Sequence, residues 1–110
     1  MLSGCGVLNN ITLTEKPQYD GYTPIAGTGS MLPCLPPTSV IYYQNIDSKT
    51  SIREGDIVIY RYNETEHIIH RVIYVDDKLG YLLKGDNNQV SDGFISRDKI
   101  IRKGVMVSFG

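Results

Sequence analysis

The sequence has no long hydrophobic runs, and its longest unbroken apolar stretch, as in Ile57 to Tyr60, is four residues. A helix that spans a bilayer needs about 20, so we expect no transmembrane helix in the chain as given. An excess of positive charge is also missing, because 11 Lys and Arg face 12 Asp and Glu and leave a net charge of -1. Proteins that hold nucleic acid through its phosphates need a positive field, so we expect no nucleic-acid partner.

Cysteine is scarce as well. Cys5 and Cys34 can form one disulfide at most, and their spacing does not decide whether they do. The segment Leu2-Ser3-Gly4-Cys5 resembles a bacterial lipobox, but only Met1 stands where a lipoprotein signal has a charged and then a long apolar stretch. A lipid anchor at Cys5 is therefore disfavoured, unless the true start of the chain lies upstream of Met1.

Helical periodicity is absent, since no stretch repeats apolar residues at helical spacing over three turns. Short runs rich in Ile, Val and Tyr alternate instead with turns that contain most of the 11 Gly and 5 Pro residues. We predict an all-β fold, a small folded sheet or partly closed barrel of 21–110 preceded by an N-terminal arm of 1–20. The predicted strands are Tyr22 to Ala26, Val40 to Gln44, Asp56 to Tyr62, His67 to Val75, Tyr81 to Lys84 and Lys99 to Val107.

A serine lies among small residues in Gly27-Thr28-Gly29-Ser30-Met31-Leu32-Pro33. Glycines permit tight turns and the close approach of another chain, and Pro33 fixes the backbone after the serine. Such a segment can present the Ser30 hydroxyl and the Ser30 N–H at one point, as a nucleophile and half an oxyanion hole require. The alternative is an ordinary turn with a surface serine.

The segment His67 to Val75 alternates as a strand does, and this alternation predicts one face made of Ile68, His70, Val72 and Tyr74. Apolar surroundings favour neutral imidazole, which is the form able to accept a proton from a serine. His70 is therefore a candidate general base, and a core histidine is the alternative. His67 is predicted on the opposite face, so the two histidines do not form a one-sided metal site.

Two carboxylates follow in one polar turn, at Asp86 and Asp92. Arg71 lies in an apolar run and needs a carboxylate nearby. One carboxylate could orient His70 through its second ring nitrogen, and the other could neutralise Arg71. Asn87 is interpreted as a residue that stabilises the turn.

Four short motifs occur in order: Gly29-Ser30-Met31-x-Pro33, Gly55-Asp56-Ile57-Val58, Ile69-His70-Arg71-Val72, and Lys84-Gly85-Asp86-Asn87-Asn88 with Asp92 after it. Together they resemble the successive motif boxes of type I signal peptidases, over roughly Pro24 to Val107. The resemblance is nearer to the archaeal and endoplasmic-reticulum branch. Bacterial enzymes, and the related self-cleaving repressors, carry a lysine base where this chain has His70.

The resemblance implies a LexA-like fold and a serine endopeptidase that cleaves an extended polypeptide substrate after a small residue, with no cofactor. Ser30 matches the nucleophile, His70 the general base and Asp92 its acidic partner. Thr28 matches a position whose hydroxyl supplements the oxyanion hole formed with the Ser30 N–H. A supporting salt bridge is implied between Arg71 and Asp86.

Some features depart from the family pattern. Its enzymes carry a membrane helix ahead of the serine box, and the 29 residues before Ser30 contain no such span. Ser91 replaces one of two aspartates that are often adjacent. These departures keep open a catalytically idle module of the same fold that acts as a structural or binding component, for example of a virion or another assembly, or beside a membrane-proximal partner.

Two further alternatives are weaker. A self-cleaving regulator needs a lysine base and a DNA-binding domain, and neither is expected in this near-neutral chain. A cysteine peptidase built on Cys34 and His70 is disfavoured because Cys34 lies among three prolines.

Overall fold

The structure is a computed structural model that describes residues 18–25 and 29–109. Seven antiparallel strands form one open sheet in the order β1-β2-β7-β3-β4-β5-β6, which confirms the all-β prediction. The strands are β1 (Gly21–Pro24), β2 (Val40–Asn45), β3 (Ile57–Arg61), β4 (His67–Asp76), β5 (Gly80–Lys84), β6 (Gly93–Ile95) and β7 (Ile100–Ser108). A 3-10 helix over Arg97–Lys99 leads into β7. No helix in the described ranges is long and apolar enough to cross a membrane.

The central strand β3 separates two hydrophobic clusters. Its alternation directs Ile57 to one cluster and Val58 and Tyr60 to the other. The first cluster is Ile25, Met31, Cys34, Leu35, Ile41 and Ile57. The second is Ile52, Val58, Tyr60, Val72, Leu83 and Ile100. Because β3 is buried on both faces, its side chains are held on both sides of the sheet.

Two features of the sheet differ from the sequence prediction. The strand β6 was not predicted, because it has only three residues and begins at Gly93, whose φ is 88°. Tyr74 was predicted on the face of Val72 and His70, and this was wrong. The register shifts between Val72 and Tyr74, so Tyr74 leaves that face and is 49% exposed, while Val75 packs against the second cluster.

The boundary between an arm of 1–20 and a domain of 21–110 remains a prediction. Residues 1–17 lie outside the described residues. Asp20, which was assigned to the arm, accepts a hydrogen bond at Oδ2 from the Asn45 N–H at 2.8 Å. The Asp20 N–H donates to the Tyr43 carbonyl at 2.7 Å.

Candidate active site

Three polar side chains that are distant in sequence meet beside the sheet. Ser30 lies in the turn after β1, His70 in the middle of β4, and Asp92 in the loop between β5 and β6. Ser30 Oγ is 3.3 Å from His70 Nε2. On the other side of the ring, His70 Nδ1 is 2.5 Å from Asp92 Oδ2. The structure thus brings together the serine, histidine and aspartate that the sequence analysis singled out, in the order that proton transfer requires.

The backbone around Ser30 is held from two sides. Gly29 has a φ of 76°, a conformation that glycine adopts without strain, and its carbonyl accepts a hydrogen bond from the Leu32 N–H at 3.2 Å. The Ser30 carbonyl accepts one from the Asn87 N–H at 2.8 Å. Next to the serine, Met31 is 1% exposed in the first cluster. The serine turn is therefore tied both to the core and to the acidic loop.

His70 is fixed by its strand. It lies opposite Val58 in the β3–β4 register and is 7% exposed. Pairing on β3 sets the direction of the imidazole, and the two ring nitrogens then face Ser30 and Asp92. His67 is exposed. No group of three or more His, Cys, Asp or Glu that could hold a metal ion occurs within 18–25 and 29–109.

Asp92 has two further anchors. Its backbone N–H donates to the Leu83 carbonyl at 2.7 Å, and the Tyr60 hydroxyl donates to Oδ2 at 2.7 Å. Burial, and then the hydrogen bond to Asp92, raise the pKa of Tyr60 well above its ordinary value. Sequence reasoning placed Tyr60 in a strand and gave it no role at the site. The available signal was a tyrosine in a buried run, since a buried tyrosine hydroxyl usually has a hydrogen-bond partner.

Arg71 and Asp86, which were expected to pair, lie in direct contact. Arg71 Nε and Nη2 donate to the two Asp86 carboxylate oxygens at 2.9 and 3.0 Å. A third donor, Nη1, reaches the Gly55 carbonyl at 2.7 Å. Both side chains are largely buried, so the bidentate contact neutralises charge that would otherwise be costly there. This contact fixes the start of the acidic turn against β4.

Gly85 is closely surrounded by the site. A Cβ at this position would lie 2.7 Å from Asn88 Nδ2, 2.8 Å from the Ser30 carbonyl oxygen and 2.9 Å from His70 Nε2. Real Cβ atoms essentially never approach other heavy atoms this closely. A glycine is therefore required for the acidic turn to pack against the serine and the histidine.

A cleft of about 640 Å³ opens beside Ser30 and His70. Its wall is mostly apolar, and Glu66, His67 and Arg102 add charge and polarity. The other lining residues are Thr23, Pro24, Ile25, Met31, Ile59, Ile68, Ile69 and Asn88. The serine and the histidine thus both face this cleft.

Two further residues, Thr28 and Cys34, were given possible roles by the sequence analysis. Thr28, which was expected to supplement the oxyanion hole, lies outside the described residues. Cys34 is disulfide-bonded and 9% exposed. The alternative of a cysteine peptidase built on Cys34 is therefore wrong, because only a thiol or thiolate can act as the nucleophile.

The similarity of this chain is to signal peptidases. It is 36% identical over 70 residues to the signal peptidase complex catalytic subunit SEC11C of Homo sapiens, and equally to that of Mus musculus and of Canis lupus familiaris. The alignment covers 59% of this chain and 36% of each relative, so the chain spans little more than a third of their length. No protein-family model matches the chain, and no solved structure gives a significant match. None of these findings supports a virion component.

Proposed function

We propose that this chain is a serine endopeptidase of the signal-peptidase type, with Ser30 as nucleophile, His70 as general base and Asp92 as the partner of the base. The observation that carries the proposal is the continuous contact from Ser30 Oγ through both nitrogens of His70 to Asp92 at the edge of a cleft. The similarity to signal peptidase catalytic subunits supports the same reaction class.

In the proposed reaction His70 Nε2 takes the Ser30 hydroxyl proton while Oγ attacks the scissile carbonyl carbon. The separation of 3.3 Å between Oγ and Nε2 is suitable, since such hydrogen bonds commonly tighten when substrate binds. Asp92 accepts the hydrogen bond from the Nδ1–H of His70, which fixes the tautomer of the ring and stabilises the imidazolium. The imidazolium then donates its proton to the leaving amine, and water hydrolyses the acyl-enzyme by the same path.

The developing oxyanion requires donors on the far side of the carbonyl. We assign this role to the Ser30 backbone N–H, supplemented by the Thr28 hydroxyl on the basis of the family resemblance. Loss of one such donor typically lowers kcat by about 10² to 10³. Thr28→Val should therefore reduce turnover less than Ser30→Ala does.

The proposed substrate is an extended polypeptide that lies along the cleft and is cleaved after a small residue. Residues His67–His70 of β4 pair with β3 on one side. On the other side, β5 pairs with β4 only from Arg71 onward among the described residues. Ile68 and Ile69 line the cleft together with Thr23 and Pro24, so the backbone edge of β4 at these two residues is available to a substrate. An added strand can use such an edge for main-chain hydrogen bonds.

The proposal is tested by measuring cleavage of a peptide that copies the cleavage site of a secretory precursor and has a small residue just before the scissile bond. Ser30→Ala and His70→Ala should each lower kcat by roughly four to six orders of magnitude with little effect on folding. His67→Ala is the matched control, because it removes an exposed imidazole from the same strand; His67 lines the cleft, so this variant should retain kcat even if KM changes.

Cleavage that survives in Ser30→Ala would contradict the assignment. A folded wild-type protein that does not cleave any such peptide, and that instead assembles stoichiometrically with a partner, would favour the idle module described above.

A further inference from the structure

Asp92 Oδ2 accepts hydrogen bonds from two sides. His70 Nδ1 approaches this oxygen at 2.5 Å and the Tyr60 hydroxyl at 2.7 Å. The carboxylate lies in a loop between two strands, and a loop side chain has more freedom than one fixed inside a sheet. The tyrosine therefore connects the loop-borne aspartate that contacts His70 to the central strand.

Tyr60 is well suited to hold another group in place. It is 2% exposed, belongs to the second cluster and lies opposite Ile68 and Ile100 in the sheet. Packing of its ring on both sides restricts its rotamer. Because burial and the contact with Asp92 raise the Tyr60 pKa, the hydroxyl keeps its proton and remains a donor throughout the pH range in which a peptidase works.

We propose that Tyr60 is a positioning residue for the proposed peptidase, which acts through Asp92 by fixing the oxygen that orients the His70 ring. This inference rests on the proposed function for its kinetic consequence. Its structural content, the dependence of the His70 ring on the Tyr60 hydroxyl, is independent of turnover.

Tyr60 can influence the His70 ring because both side chains contact the same oxygen, Asp92 Oδ2. Without the hydroxyl, Asp92 would keep its backbone anchor to Leu83 but lose one of the two hydrogen bonds that hold its side chain, so that only the contact with His70 would restrain its rotation. The carboxylate could then turn away from Nδ1, and the ring would sample orientations in which Nε2 does not face Ser30. Such a loss affects the chemical step and leaves the cleft that binds substrate unchanged.

The decisive variant is Tyr60→Phe, which keeps the packed ring and removes only the hydroxyl. We expect kcat to fall roughly ten-fold, the equivalent of one hydrogen bond to a charged group, with KM unchanged. Tyr81→Phe is the matched control, since Tyr81 packs against the same cluster and its hydroxyl accepts a hydrogen bond from Arg97 at 3.2 Å. That variant should retain full kcat.

A double-mutant cycle separates positioning from general stability. In an Asp92→Ala background, Tyr60→Phe should produce no further loss of kcat, because the residue through which it acts is gone. An undiminished ten-fold loss in that background, or an unchanged kcat in Tyr60→Phe alone, would overturn the proposal.

A second readout requires no activity. The chain has two histidines, so the ring resonances of His70 can be followed by NMR with exposed His67 as internal reference. Tyr60→Phe should move or broaden the His70 Nδ1–H resonance, and Tyr81→Phe should leave it in place. An unaltered resonance would refute the role of Tyr60 even in an active enzyme. An altered resonance in a protein without peptidase activity would support the positioning role and refute the proposed function.

Discussion

Gly85→Ala tests whether the close packing of the acidic turn positions the reacting groups. The added methyl would meet the Ser30 carbonyl at 2.8 Å and His70 Nε2 at 2.9 Å, whereas ordinary van der Waals contact begins at 3.4 Å. Each neighbour would have to retreat by roughly half an ångström. Gly85 is not among the glycines with positive φ, so the effect comes from steric contact and not from backbone strain.

The size of the effect follows from where the methyl is placed. The Ser30 carbonyl is tied to the Asn87 N–H at 2.8 Å and cannot move without the acidic loop. The methyl would therefore displace the imidazole as well, and Ser30 Oγ and His70 Nε2 are already 3.3 Å apart. A misplacement of about 1 Å at reacting groups lowers rate by about 10², so a retreat of roughly half that distance should lower kcat by about ten-fold. Overpacking should lower the unfolding free energy by about 1 to 3 kcal/mol.

The assay is cleavage of the precursor peptide, together with urea denaturation of the same samples. Gly21→Ala is the control, since its methyl would meet the end of the flexible Tyr43 side chain at 2.5 Å, outside the candidate site. It should retain kcat. A Gly85→Ala variant with wild-type kcat would show that the packing described here does not position the serine and the histidine.

Two further predictions concern stability. Arg71→Met leaves Asp86 buried without its counter-ion and should lower the unfolding free energy measured by urea denaturation by about 3 to 5 kcal/mol. The double variant Arg71→Met/Asp86→Leu should recover part of this loss, because it removes the unpaired charge as well. An equal loss in the single and the double variant would contradict the pairing. The backbone N–H of Lys49, then the Thr50 hydroxyl, lower the pKa of Asp47. Its charge should therefore stabilise the fold above the unfolded value of about 4 and cease to do so as pH falls through the lower folded value. The difference in Tm between wild type and Asp47→Asn should accordingly shrink in acid, and a difference that is constant with pH would refute this.

Much of the sheet could be predicted because its strands alternate and its turns contain glycine and proline. β4 is the clearest case, since period-two spacing placed His70 beside apolar neighbours. The face of Tyr74 could not be predicted, because a β-bulge shifts the register between Val72 and Tyr74. A bulge inserts one extra residue into a strand, and nothing in this sequence marks where it occurs. β6 was missed because three residues are too few to show a period.

Some residues of the candidate site could be predicted from the sequence and others could not. Ser30, His70 and Asp92 were selected by motif order and chemical type, and Arg71 by the need to neutralise a buried charge. Tyr60 contacts Asp92 across 32 residues of sequence, and the packing role of Gly85 depends on its approach to Ser30 and His70, which belong to other segments of the chain. Such contacts are set by strand register and loop path, which local patterns do not encode.

The central claim is that His70 activates Ser30 as a nucleophile. The most direct measurement is intact-protein and peptide mass spectrometry after exposure to a serine-reactive phosphonate. One adduct per chain is expected on the peptide that contains Ser30, formed by wild type and His67→Ala but not by His70→Ala. Labelling that is absent from the folded wild type, or that proceeds equally well without His70, would contradict it.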